Sequence, residues 1–388
     1  MNHGDIDNGP CEAPPVQGAK TAVARLAACA FAALLLAELG CRPRWSADGK
    51  RLTYAAVDGK RHLVAQRDLD AGTSAELFEI GLADGAMDMV RDPDRARWVI
   101  VWADGTDDGV VNVMTRDDQG KEGKSHAIRV GGRNLSTMLV EPVVADGHVF
   151  LTGSTVIRVD LDTGETQQQG RRGLATFPAD DGVGYITMNA RDWEIGTMDP
   201  ETMELTPWIT KPDDCEWRLA ETPRFDPTGK RCAVVAVEGR QRAGLDALKW
   251  AVLVLEDGEL LTTIEIKGER SMGPIAWIDD VTICGTVMRP GKTENEFALF
   301  ETNFSGSFQR ETTILKAPIH QRLAEEGGVV YQLKQPLFLQ PSPSPDGKTV
   351  AFTTAKMPEL PEELAGLLLL HRDRKNEVER IPFRFEDK

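Results

Sequence analysis

Pro43-Arg44-Trp45-Ser46-Ala47-Asp48-Gly49-Lys50-Arg51-Leu52-Thr53-Tyr54 returns twice along the chain. The second copy is Pro223-Arg224-Phe225-Asp226-Pro227-Thr228-Gly229-Lys230-Arg231-Cys232-Ala233-Val234, and the third is Pro341-Ser342-Pro343-Ser344-Pro345-Asp346-Gly347-Lys348-Thr349-Val350-Ala351-Phe352. In each, Ser or Asp opens a four-residue turn, Pro suits its second position, and Gly closes it where a positive φ is often needed. The turn residues are Asp48 and Gly49, Asp226 and Gly229, Asp346 and Gly347. A strand should follow each one. Leu52 and Tyr54, Cys232 and Val234, and Val350 and Phe352 trace the period-two apolar face of a half-buried strand.

A phrase spread over most of a chain marks an array of one supersecondary unit. The copies begin 180 and 118 residues apart, so a unit of roughly 40 to 50 residues fits about four times and then two to three times. Four eroded copies fill the intervals. They are Asp92-Pro93-Asp94-Arg95 before Trp98-Val99-Ile100-Val101, Ala145-Asp146-Gly147-His148 before Val149-Phe150-Leu151, Pro178-Ala179-Asp180-Asp181-Gly182 before Tyr185-Ile186, and Trp277-Ile278-Asp279-Asp280 before Val281-Thr282-Ile283. The count is seven, with six and eight as alternatives.

The Pro-x-Trp-Ser-x-Asp-Gly-Lys phrase with its apolar strand resembles the WD40-like β-propeller repeat of TolB-like proteins. That resemblance implies an all-β fold, four-stranded antiparallel blades around a central channel, over residues 41–388. It specifies a scaffold and says little about ligand, because one fold hosts many activities. The 388 residues suit a single propeller, since each blade buries its faces against its neighbours.

The formal charge is −16; the first forty residues hold four acids against two bases, which leaves −14 on the remainder. An acidic surface repels nucleic acid and anionic membrane, so a nucleic-acid partner is not expected. Residues 1–40 read as a leader. Lys20 and Arg25 precede an apolar run of twelve, Leu26 to Ala37, which suits a signal-peptide core and is short for a membrane span. Cys41, after Gly40, resembles the site at which bacterial lipoproteins are cleaved and acylated. The alternative is an uncleaved helical anchor over residues 21–39. Both predict an exported chain, periplasmic or extracellular, held at the membrane.

Catalytic patterns are sparse. No G-x-S-x-G elbow is present. Cys41, Cys215, Cys232 and Cys284 are scattered without a C-x-x-C pair, which opposes a structural zinc site. Cys232 aligns with Leu52 and reads as core, whereas Cys215, near Trp217 on a polar connector, reads as the thiol to be either free or paired. His62, His126, His148, His320 and His371 form no H-E-x-x-H, and His148 is the best single metal candidate. Asp107-Asp108, Asp180-Asp181, Asp213-Asp214 and Asp279-Asp280 could suit calcium, although most fall where the repeat expects a solvated turn. Trp193 and Trp217 are candidate loop-borne contacts. The interval Pro318 to Gly328 reads as a short helical insertion, with Pro near its start and Gly past its end, and inserted loops carry function more often than scaffold.

No cofactor is expected. The reading is an exported, envelope-anchored, non-catalytic propeller that binds a protein or peptide partner. The alternatives are a metal-dependent propeller enzyme acting on a polysaccharide or lactone, and a purely structural or sensory module of an envelope assembly.

Overall fold

The computed structural model describes residues 42–383 apart from 59–60, 82–86, 93, 104–109, 118–119, 131–140, 154, 172, 180–181, 189–191, 239–247, 269–270, 290, 292, 319–321, 327–328, 334–338 and 355–361. It is a ring of seven antiparallel blades. Blade 1 is β1 (Arg44–Trp45), β2 (Arg51–Asp58), β3 (Arg61–Asp68) and β4 (Thr73–Gly81); blade 2 is β5 (Met87–Asp92), β6 (Arg97–Ala103), β7 (Val110–Arg116) and β8 (Glu122–Arg129). Blade 3 is β9 (Val143–Ala145), β10 (His148–Thr152), β11 (Val156–Asp160) and β12 (Thr166–Gln168); blade 4 is β13 (Leu174–Ala179), β14 (Gly182–Met188), β15 (Trp193–Met198) and β16 (Leu205–Thr210). In blade 5 the first strand is split into β17 (Arg218–Leu219) and β18 (Arg224–Phe225), both paired with β19 (Arg231–Glu238), followed by β20 (Lys249–Glu256) and β21 (Glu259–Ile266). Blade 6 is β22 (Ser271–Trp277), β23 (Thr282–Arg289), β24 (Glu294–Asn303) and β25 (Gln309–Pro318). A hairpin, β26 (Arg322–Glu326) and β27 (Val329–Leu333), precedes blade 7, which is β28 (Ser342–Pro343), β29 (Thr349–Thr353), β30 (Leu367–His371) and β31 (Glu377–Ile381).

Each of the seven repeat phrases lies at the same place, the connection from first to second strand of its blade. In blade 1, Gly49 N–H donates to Ser46 O at 2.9 Å, and the Asp48 carboxylate accepts from the Ser46 hydroxyl at 2.6 Å and from Lys50 N–H at 3.1 Å. Blade 7 repeats this with Gly347, Ser344, Asp346 and Lys348. Blade 5 reaches the same turn with one acid, since Asp226 both opens it and accepts from Lys230 N–H at 3.0 Å. Gly49, Gly229 and Gly347 have φ of +70°, +70° and +67°, a region that costs a residue bearing a Cβ.

The second strands are buried on both faces, not half-buried as the alternation of Leu52 and Tyr54 suggests. Thr53, Ala55, Ala233 and Ala351 are buried with their neighbours, because every blade is sandwiched between two others. A strand covered on both sides reads as a near-continuous apolar run. Along β19, Cys232, Val234 and Ala236 pack toward blade 4, whereas Ala233, Val235 and Val237 pack toward blade 6. Seven separate clusters result, one between each adjacent pair of blades.

Among the described residues, the ring closes without a shared strand. All four strands of blade 1 come from the start of the array and all four of blade 7 from its end. Side chains make the seam: Leu52, Tyr54, Leu63 and Ala65 pack on Leu367, Leu369, Ile381 and Phe383, with the Tyr54 and Phe383 rings stacked at 6.2 Å. Trp45 Nε1 donates to Ser342 O at 2.9 Å, Ser342 Oγ to Pro43 O at 2.5 Å, and Thr353 Oγ1 to Ala55 O at 3.1 Å. Trp277, at the repeat position of Trp45, does the same between blades 6 and 5, donating to Arg224 O at 2.8 Å.

The expected helix between Pro318 and Gly328 is instead the β26–β27 hairpin. Gly327-Gly328 separates Leu323-Ala324 from Val329-Val330-Tyr331, and two short β-prone runs around a Gly-Gly pair favour a hairpin over a helix.

Two outcomes test this architecture. Gly229→Val and Gly347→Val should each cost about 1 to 3 kcal/mol through the left-handed φ, with Gly347→Val the more damaging because its Cβ would lie 3.0 Å from Ile278 Cγ2; unchanged thermal midpoints would remove the turn argument. Trp45→Phe and Trp277→Phe should each lose about 1 to 3 kcal/mol by leaving an inter-blade carbonyl without its donor. Denaturant titration reads both, and no loss in either variant would show that the clasps do not stabilise the ring.

Candidate functional site

The first strands line the channel: β5 lies beside β9, β9 beside β13, β13 beside β18, β18 beside β22, and β22 beside β28. Side chains from non-neighbouring blades can meet only at the centre of such a ring. Glu141, two residues before β9 of blade 3, is buried. It pairs with Arg44 of blade 1 and, at 2.6 Å, with Arg224 of blade 5. Arg44 Nη2 also donates to Met89 O of blade 2 at 3.4 Å. Arg42, just before β1, donates from Nη2 to Ile275 O of blade 6 at 3.3 Å.

Three guanidinium groups thus surround one carboxylate. Burial alone would raise the pKa of Glu141, but Arg224, Arg44 and Arg42 outweigh it and hold the carboxyl well below its ordinary range. Arg42 is pushed down to about 9, first by burial and then by the Arg224 charge, and it stays cationic at neutral pH. Its Nε is buried and meets no acceptor among the described residues. The Arg44 and Arg224 side chains keep 22% and 12% of their exposure against 3% for Glu141, so the acid is the most enclosed member of the cluster and the cations are the more accessible ones.

The residues singled out from sequence are not brought together here. Cys41, His320, Asp107-Asp108 and Asp180-Asp181 lie outside the described residues. Asp48, Gly49, Asp226, Gly229, Asp346 and Gly347 remain distributed over the turns of blades 1, 5 and 7. His148 opens β10 and faces Asp160 across the pair at 3.7 Å. His126 Nε2 contacts Leu161 O at 3.2 Å, and His371 contacts Glu379 at 3.1 Å. Asp279 accepts from Val281 and Thr282 N–H at 2.9 and 2.7 Å, and Asp213-Asp214 is an exposed turn.

Trp193 is core and not a loop contact: it is 2% exposed and donates to Trp217 O at 3.1 Å. Cys215 is buried in the same cluster between blades 4 and 5, not displayed on a polar connector, and Cys215, Cys232 and Cys284 are all unpaired thiols. Burial drives the Cys232 and Cys284 pKa values up, which suppresses the nucleophilic thiolate. Among the described residues no group of three or more His, Cys, Asp or Glu is arranged to hold a metal ion.

The arginine cluster was overlooked although the repeat carries a signal for it. Arg44 and Arg224 occupy the same second position of the phrase, and Ser342 stands there in blade 7. Glu141 belongs to no repeat.

No family model and no curated protein matches the chain. Solved structures do. A protein from Lactobacillus plantarum is 11% identical, with 86% of this chain and 95% of that one covered and a TM-score of 0.51. The β-propeller domain of the Trilobed protease from Pyrococcus furiosus, described as having an open velcro topology, is 11% identical, with 90% and 98% covered and a TM-score of 0.50. An oligogalacturonate lyase in complex with manganese is 12% identical, with 88% and 86% covered and a TM-score of 0.46. At these identities the likeness is one of fold: the chain is a seven-bladed β-propeller.

Proposed function

We propose that the chain is an exported, envelope-anchored propeller that binds a protein or peptide partner without catalysis. The observation that carries the binding half is the composition of the channel wall. It presents Arg42, Arg44 and Arg224, groups that recognise and hold, because guanidinium stays protonated and offers fixed donors but shuttles no proton near neutral pH. The described histidines, the side chains suited to metal or proton chemistry, stand on second to fourth strands of their blades, at His62 of β3, His126 of β8, His148 of β10 and His371 of β30. The export half rests on the apolar run of twelve before Gly40-Cys41.

The full chain, offered polysaccharide, lactone and peptide substrates with and without divalent metal, should turn over none of them above a heat-killed control, and EDTA should leave partner binding unaltered. Metal-dependent turnover lost in His148→Ala would favour the enzyme alternative. Metabolic labelling with a clickable fatty acid should mark the wild type and not Cys41→Ala; equal labelling of both would leave only the helical anchor over residues 21–39.

A further inference from the structure

The charges immediately around Arg42 are mostly positive, in contrast to the chain as a whole. The protein as a whole is acidic, yet the charges that act most strongly on Arg42 are those of Arg224, Glu141 and Arg44, two cations against one anion. Further acids lie on or beside the inner strands, among them Asp88 and Asp92 on β5, Glu221 between β17 and β18, and Asp226 after β18; the Asp88 carboxylate accepts from Met89 N–H at 2.7 Å, and Asp92 and Asp226 pair with Arg97 and Arg231. Glu141 is engaged by Arg44 and Arg224 from two sides. No acid of the described channel pairs with Arg42, whose contact is the neutral carbonyl of Ile275.

A half-buried guanidinium held by one carbonyl bond, with a buried Nε–H that meets no acceptor among the described residues, is a costly arrangement for a protein that needs only a scaffold there. It becomes favourable when an anion completes it. Planar forked donors match carboxylate and phosphate oxygens in pairs, and such charge-assisted bonds are roughly twice as strong as neutral ones. Donors from blades 1 and 5 held by Glu141 of blade 3 are also positioned before the ligand arrives, which reduces the ordering cost of binding.

We propose that Arg42, Arg44 and Arg224 form an oxyanion-binding site at the centre of the propeller, which takes a carboxylate- or phosphate-bearing ligand. Glu141 is its positioning residue: it holds Arg44 and Arg224 in place and limits how much negative charge the site accepts. This deepens the reading above, since the anion would be the part of the partner that enters the channel, and it can stand or fall separately.

The test is calorimetric titration of the full chain with inorganic phosphate and with citrate in low-chloride buffer. Saturable binding is expected for at least one of them, weakening modestly as salt rises because the part-exposed Arg44 and Arg224 are partly screened, and whichever anion binds more tightly identifies the source as phosphate or carboxylate. Arg42→Gln leaves the Arg44–Glu141–Arg224 pairing intact and should weaken binding about tenfold, the scale of one charge-assisted hydrogen bond, and should shrink the rise in thermal midpoint that saturating anion produces. Arg42→Lys, which keeps the charge but not the fork, should fall between; if Arg42→Gln fails to fold, the comparison with Arg42→Lys decides. No saturable binding of either anion, or equal affinity in wild type and variant, overturns the site. Anion binding without any captured peptide sinks the peptide reading alone, whereas peptide capture indifferent to Arg42→Gln sinks the anion site alone.

Discussion

The seam between blades 7 and 1 is the contact on which the rest of the ring depends. Six of the seven apolar clusters join blades that are consecutive in sequence and form from short-range neighbours; the seventh joins residues near 54 to residues near 383. Bringing those ends together costs about 5 kcal/mol of chain entropy for a loop of this length. In a propeller whose last blade mixes strands from both ends, backbone hydrogen bonds help to offset that cost. Among the described residues none cross the seam as a ladder, so there the stacked Tyr54 and Phe383, the apolar side chains around them, and the bonds of Trp45, Ser342 and Thr353 carry closure. An array left open would expose two blade faces composed of Leu, Ala and Phe, which is why the closed ring wins.

Closure also creates the site. Glu141, Arg44 and Arg224 are separated by tens of residues and belong to blades that do not touch; only a complete ring directs blade 1, blade 3 and blade 5 at one point. The cluster therefore couples stability to charge. Glu141 is well below its ordinary pKa in the fold, so its contribution is present above the carboxylate range of an unfolded chain and is lost only as pH falls toward the depressed folded value. Removing its charge would leave three cations facing one another in a partly desolvated space, a larger penalty than the loss of a surface pair.

The turns made the blade count legible. Asp, Pro and Gly act locally, so even eroded phrases such as Asp92-Pro93-Asp94-Arg95 and Trp277-Ile278-Asp279-Asp280 marked strand starts that the fold confirms at β6 and β23. Burial was less legible, because alternation at Leu52 and Tyr54 cannot reveal that Thr53 and Ala55 face a second neighbour. Trp193 illustrates the same limit: nothing local distinguishes a tryptophan on a loop from one whose indole N–H is taken by the next blade. The hairpin of β26 and β27 had a local signal in Gly327-Gly328, outweighed in the reading by the Pro and Gly spacing of a helix. The channel cluster needed long-range geometry, yet half of it was written in the repeat as Arg44 and Arg224.

Arg42 links the proposed anchor to the proposed site. Its guanidinium is fixed to Ile275 O inside the ring, and it directly follows Cys41. One residue spans at most about 3.6 Å, so an acyl group carried on Cys41 would be attached next to the Arg42 backbone. On that reading the channel end bearing Arg42 would face the bilayer closely, while the acidic outer surface, repelled by anionic headgroups, would resist lying flat. In that case the two forces would act in opposite directions on the same molecule: an acyl group would pull one end of the channel to the membrane, and net charge would hold the rest of the ring away from it. An uncleaved helix over residues 21–39 would join the chain at the same residue through Gly40-Cys41, so on either proposal the position of Arg42 would set which end of the channel is nearer the membrane.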